Sequence, residues 1–368
     1  MHKNTYTLHY ISFSILHTLF YSIEKKKYSI LHINKKMVQI RAKQVRAKVK
    51  NLKKIIKKYK KSHPQKERDY KEYEKKFSKR LKKAVTNLEN LIKESVRKVG
   101  ILRRQGNKTS VSLEKRIKIL LTKELSEKGN RKMANLLGLF SKMGGTDISY
   151  KTVERFYSDD EIKMVLMNLF ILCLKKRNVL EIDCCGDATG YALTITKHYS
   201  SYIKKLKDKG KIQKQNCKKR SFVYKFAIMD LETKMYVCYG SSLKSEKQAF
   251  NKAIQMLENI DVKLKTIRLD RYYSCPVYVN LFKGTFVYII PKKNAELGNG
   301  LKWNDTLKAF VVDTMKYLEE YFKRNNSESG FASDKKMFGW KVSQKREDRI
   351  DTALFARAVW HNILLLYA

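Results

Sequence analysis

Proline is almost missing from this chain, with three in 368 residues. That scarcity excludes proline-rich linkers and polyproline recognition segments. Cysteine is sparse as well: Cys173, Cys184, Cys185, Cys217, Cys238 and Cys275 form no C-x-x-C pair and keep no ligand-like spacing with the seven histidines. The adjacent pair Cys184-Cys185 is poorly placed for bridging or for joint zinc ligation. These are expected to be reduced thiols in a cytoplasmic protein, and a zinc site is not expected. Acidic residues are few, 35 against 80 lysines and arginines. Long apolar runs are absent too. The one candidate, Asn4 to Ser22, has no charged residue but is interrupted by His9 and His17, and no small-residue cleavage site follows. Neither a signal peptide nor a membrane anchor is read there. Residues 1–36 are an uncertain leader, and Met37, directly before a basic helical pattern, is an alternative start.

What is abundant is positive charge, a formal net +45. A surplus that large opposes compaction by self-repulsion, so a polyanion is expected to neutralise it, with DNA or RNA the usual partner. An AT-rich coding bias would inflate lysine, but it would not cluster it. From Arg41 to Lys60 there are ten basic residues and no acid. Val45, Val49, Leu52, Ile56 and Tyr59 recur there at helical spacing, and His63-Pro64 ends the helix. A second basic helix carries Tyr70, Tyr73, Phe77, Leu81, Leu88 and Ile92 as its stripe. A solvated helical hairpin and a phosphate-binding region both fit, so 37–110 is a basic helical region.

Residues 111–177 read as a helical unit. Helices are predicted from Ser112 to Leu125, from Lys132 to Lys142, from Ser149 through Arg155 and from Glu161 to Lys175. The Ser-x-x-Thr-Val-x-Arg stretch after Gly144-Gly145 is similar to a helix-turn-helix recognition helix. A small three-helix bundle would give the same pattern. After Asn178 the period changes. Strands are predicted at Val179–Asp183 (with Tyr191–Ile195 a possible extension), Ser221–Met229, Lys234–Tyr239, Lys265–Leu269 and Thr285–Ile290. Helices are predicted at Lys244–Asn259, Pro276–Phe282, Thr306–Phe322 and Thr352–Tyr367. Lys204 to Arg220, with nine basic residues and one acid, is a charged excursion. Three antiparallel strands followed by strands added through helices is the element order of the ribonuclease-H-like fold. Residues 178–368 are thus expected to be an α/β, ribonuclease-H-like catalytic domain behind an all-α, strongly basic region.

Four residues near the C-terminus carry the most information. Tyr321, Arg324, Glu328 and Lys335 are separated by two, three and six residues. The row resembles the Tyr-Arg-Glu-Lys signature of a branch of the DDE transposases of prokaryotic insertion sequences. Phe338-Gly339 and Trp360-His361-Asn362 continue the likeness. Upstream, Asp187-Ala188-Thr189-Gly190-Tyr191 resembles that family's Asp-x-Thr-Gly-aromatic motif, with Lys197-His198-Tyr199 after it. Asp270, behind strand Thr266–Leu269, resembles its second Asp. Asp183, on the strand itself, competes with Asp187 for the first place.

The resemblance implies that Asp187 (or Asp183), Asp270 and Glu328 are catalytic and hold two Mg2+ or Mn2+ ions. It also implies that Tyr321, Arg324 and Lys335, with Lys336 beside it, contact DNA phosphates. Cut-and-paste transposition is implied, with the helices on the terminal inverted repeats and a homodimer on double-stranded DNA. The chemistry agrees, since phosphodiester transfer uses paired divalent ions and magnesium takes carboxylate oxygens. Taken singly, each residue has a plainer account. An Asp at a strand end is usually a cap, a Glu among cations is usually a surface ion pair, and Tyr321 could simply pack. Two other functions fit parts of the chain, a non-catalytic transposon-derived DNA-binding protein and a ribonuclease-H-like nuclease without strand transfer.

Overall fold

The computed structural model describes residues 40–64, 69–99, 111–139, 146–194 and 222–368. The leader, Met37, Gly144-Gly145, Lys197-His198-Tyr199, Cys217 and the stretch 204–220 lie outside the described residues. Among the described residues seven helices come first: α1 Ala42–Lys50, α2 Leu52–Ser62, α3 Tyr70–Val96, α4 Leu113–Leu125, α5 Asn130–Leu139, α6 Tyr150–Phe156 and α7 Asp160–Lys176. Their starts follow capping chemistry, in which a short polar side chain accepts an orphan first-turn N–H. Ser112 accepts from Lys115 N, Ser149 from Thr152 N and Asp69 from Lys71 N. The basic run expected as one helix is two, because the chain breaks at Asn51.

The sheet follows. Strands β1 Glu181–Leu193, β2 Phe222–Asp230 and β3 Tyr236–Ser242 lead to helix α8 Glu246–Glu258. Then come β4 Lys263–Leu269, a 3-10 turn Arg271–Tyr273, α9 Pro276–Leu281 and β5 Phe286–Tyr288. Helices α10 Leu301–Val312, α11 Thr314–Phe322 and α12 Asn325–Phe338, the short strand β6 Lys341–Val342 and helix α13 Glu347–Leu366 complete it. The strand order is β3-β2-β1-β4-β5, with β6 paired to the end of β1. β2 is antiparallel to both β1 and β3, while β4 and β5 run parallel to β1. The chain is therefore a mixed α/β protein with a central mixed sheet. Among the described residues no helix is long and apolar enough to cross a membrane.

Both faces of the sheet are covered, and β2 shows how. Successive strand residues point to opposite faces. Phe226 meets Phe250 of α8, while its neighbour Lys225 meets Asp334 of α12. A single hydrophobic cluster extends from Val45 in α1 to Leu364 in α13. The early helices share it: α3 packs on α7, while α4 and α7 pack on α13.

Three expected boundaries shift for physical reasons. The segment expected as a short strand with an extension is one strand, β1, of 13 residues. Gly186 and Gly190 lie inside it rather than marking a turn. A Cβ at Gly186 would stand 2.9 Å from Phe226 Cζ, so the bare backbone makes room for the core. The helix expected from Thr306 to Phe322 is α10 and α11, divided at Asp313, whose side chain accepts from Lys316 N. The closing helix starts at Glu347, five residues before the expected Thr352.

Candidate active site

Asp187 and Asp270 come together through strand register. In the parallel pairing of β1 with β4, Gly186 lies opposite Leu269, so the residue after each is an aspartate. One Asp270 oxygen accepts from Tyr272 N at 3.1 Å and caps the 3-10 turn, which is the plain role expected of a strand-end Asp. Its other oxygen is free to look inward. Asp187 is held the same way, one oxygen accepting from Ala188 N at 2.8 Å.

Glu328 arrives from α12. The weak helix formers Asn325-Asn326-Ser327 do form its first turn, because Ser327 is fully buried and its hydroxyl donates to Arg324 O at 2.7 Å. Arg324, the residue before α12, then reaches all three acids. Its Nη1 stands 2.8 Å from Asp187 Oδ2 and 3.7 Å from Asp270 Oδ1, and its Nη2 stands 2.8 Å from Glu328 Oε1. Three carboxylates from β1, the end of β4 and α12 thus surround one guanidinium. Tyr321 lies buried beneath, with Arg324 5.9 Å from its ring centre.

The environment of this cluster is electrostatically tense. Burial, with neighbouring Asp270 and Glu328, pushes Asp187 up to about 6 despite the help of Ala188 N–H and Arg324. Burial likewise pushes the Tyr321 phenol up to about 12. Like charges gathered in a half-dry site shift a pKa in this manner, and such shifts gather where chemistry is done.

The other candidates lie elsewhere. Asp183 is four residues along β1 from Asp187, about 13 Å at strand rise, and its side chain is 53% exposed. It accepts from Thr266 and lies 3.8 Å from Arg268, so it belongs to a second ionic group. Arg268, buried, also binds the Glu320 carboxylate and donates to Glu320 O, which fixes the last turn of α11 just before Tyr321 and Arg324. Lys335 stands apart from the carboxylates, its Nζ 5.4 Å from the Tyr191 ring and 4.7 Å from the Trp340 ring. Lys336 is exposed beside it. Both line a cleft of about 470 Å³ together with Lys128 and Lys341.

The donors are all carboxylate oxygens, the set that magnesium and manganese prefer over thiolate or imidazole. With Arg324 between them, no group of three or more His, Cys, Asp or Glu among the described residues stands close enough to hold an ion. By kind and by placement at one sheet edge these carboxylates suit a divalent ion, and Arg324 occupies the space between them. The described cysteines, Cys173, Cys184, Cys185, Cys238 and Cys275, are free thiols.

Sequence reasoning did not single out Arg268, Glu320, Lys225, Asp334, Glu124 or Arg357. Lys225 and Arg268 stood inside predicted strands among apolar neighbours, and that position was the available signal. A charge on a strand covered on both faces must find a buried partner.

No family model matches this chain, and no solved structure does. A curated relative does: the chain is 44% identical over 285 residues to the "Probable transposase for insertion sequence element ISA1214" of Archaeoglobus fulgidus, covering 77% of this chain and 84% of the relative. An identity that high over most of both proteins shows common descent, and the chain belongs to the family of insertion-sequence transposases.

Proposed function

We propose that the chain is a DDE transposase that binds the terminal inverted repeats of its own element, cleaves the DNA there and joins the new 3′ ends to a target. The observation that carries this is the meeting of Asp187, Asp270 and Glu328 around Arg324. The β3-β2-β1-β4-β5 order, with its antiparallel start and parallel continuation, supports a ribonuclease-H-like catalytic domain. Asp187, Asp270 and Glu328 would hold Mg2+ or Mn2+, which supplies an activated oxygen nucleophile and stabilises the leaving oxygen.

The remaining residues act on the DNA. Arg324 neutralises the carboxylates while no DNA is present. On binding, its planar fork suits a phosphate near the cut, a bidentate partner worth more than a point charge. Tyr321, packed under Arg324, limits the positions the guanidinium can take. Lys335, held over two aromatic rings, and exposed Lys336 continue the positive track along α12 toward the cleft. The cationic helices α1 to α3 are suited to bind the repeats, and a homodimer would bring two ends together. Cleavage and joining at one centre do not call for the protein to change partners.

The test uses a duplex copied from the DNA that flanks this chain's own coding sequence. Glu328→Ala is expected to abolish strand cleavage with Mg2+ while duplex binding stays within about two-fold, since a solvent-facing carboxylate adds little to phosphate attraction. Full cleavage by that variant ends the proposal. Cleavage by the wild type without joining would favour the nuclease reading.

A further inference from the structure

The helix that carries Glu328 has little of its own to hold it in place. Only Ser327, Phe331, Asp334 and Phe338 of α12 are buried, and its other positions are largely polar. An amphipathic helix is normally oriented by a broad apolar stripe. Here the stripe contains a carboxylate that is 1% exposed. Asp334 Oδ2 accepts from Lys225 Nζ on β2 and from Tyr236 OH on β3, both at 2.9 Å. Its Oδ1 lies 2.7 Å from His361 Nδ1 on α13. The His361 ring stacks on Tyr236 at 4.0 Å, and its other nitrogen faces Lys234 O at 3.0 Å. Next to it, the Asn362 side chain takes both backbone groups of Tyr236 at 2.8 Å. One buried carboxylate on α12 is thereby gripped from three separate elements.

The neighbourhood makes the grip tight. A Cβ at Gly330 would stand 2.2 Å from Met229 Cε, so the end of the Met229 side chain from β2 fills the space beside α12 there. At the far end, Arg357 of α13 donates to Gly339 O and Lys341 O, and binds Glu124 of α4 at 2.8 Å. Burial works against the Asp334 charge, but Lys225 and His361 overcome it and hold the group down at about 2.

We propose that Asp334 is a positioning residue: its buried pairing with Lys225, Tyr236 and His361 fixes the rotation and depth of α12, and so places Glu328 against Asp187 and Asp270. This rests on the carboxylate reading above. Asp334 lies six positions on from Glu328, about 9 Å along the helix axis at 1.5 Å per residue. A helix slipping or rolling about that anchor moves Glu328 directly. A misplacement of about 1 Å at a reacting centre costs on the order of a hundred-fold in rate.

The experiment compares the full chain with Asp334→Asn, with Lys225→Met/Asp334→Asn, which leaves no stranded cation, and with Tyr236→Phe, which removes one hydroxyl only. Folding is followed by circular dichroism, duplex binding by anisotropy, Mn2+ binding by electron paramagnetic resonance, and cleavage by single turnover at saturating flanking-DNA duplex. The folded double variant is expected to bind the duplex as the wild type does. Its cleavage rate per folded molecule should fall at least about ten-fold, with Mn2+ binding weakened in parallel. Tyr236→Phe should show the same split at about two- to five-fold. A merely structural role would lower the melting temperature and leave the rate per folded molecule unchanged, and that result overturns the proposal. If the Asp334 variants do not fold, an unaltered rate and Mn2+ affinity in Tyr236→Phe overturns it. Glu328→Gln runs alongside. If that variant is inactive while the Asp334 variants cleave normally, only the positioning role fails. If it cleaves normally, the carboxylate reading fails and takes the positioning role with it.

Discussion

Asp187 is the residue at which the proposed function and stability pull apart. It is pushed from an ordinary 3.8 up to about 6, chiefly by burial. A carboxylate whose pKa is higher in the fold than in the unfolded chain favours folding only while protonated. Its contribution is fully present below about pH 3.8 and is lost as pH rises through about 6. Asp187→Asn mimics the protonated form. The metal-free variant is therefore expected to be more stable than the wild type at pH 8, by on the order of 1 kcal/mol once partial exposure and the Arg324 pair are discounted. The gain should vanish below about pH 4, and thermal melts across that range check it. A loss of stability at pH 8 would show that the Arg324 pair outweighs desolvation. Asp183 sits in a different setting. It is half exposed, bonded to Thr266 and close to Arg268, and it serves the join between β1 and β4.

At the scale of elements, the arrangement depends on buried charge being paired. Lys225 is 0% exposed and answers Asp334, while Arg357 and Lys123 answer Glu124. Removing one member leaves the other charged and dry, at a cost of about 3–5 kcal/mol. Lys225→Ala is expected to lower unfolding free energy in urea by that amount, whereas Lys265→Ala, in an exposed pair with Glu181, should change it by under about 1 kcal/mol. Equal effects would contradict the account. Much of this frame was legible beforehand. Ser112 and Ser149 read as helix starts and each caps its helix, and Asp270 was placed by the strand that stops at it. The first strand reads as ending at the carboxylate Asp183, with Tyr191–Ile195 a possible extension, whereas it continues through Gly186, which is there to clear Phe226. The break at Asp313 was missed because the apolar spacing continues across it. The two-residue β6 has no pattern of its own and exists only by pairing with the end of β1. The Trp360-His361-Asn362 string was legible as a likeness, but its use was not: each side chain anchors a different element, with Trp360 donating to Leu121 O at 2.9 Å.

Across the whole molecule, sequence-distant acids meet because the sheet runs parallel where it must. Had β4 paired antiparallel to β1, Asp270 would lie at the opposite end from Asp187. The parallel register sets them side by side, and α12 lowers Glu328 onto the same edge. The net charge of +45 suits a protein that meets a polyanion, and the three acids of this edge, with Glu320 on Arg268 nearby, are set among that excess. The proposed function requires Asp187, Asp270 and Glu328 to share one metal site. Iron(II) in place of magnesium, with ascorbate and peroxide, cuts a polypeptide next to wherever the ion is held. On the full chain with its flanking-DNA duplex, cuts are expected together at Asp187, Asp270 and Glu328, and all should disappear with excess Mg2+. Cuts confined to one of these segments, or clustered around Asp183 instead, would contradict the account.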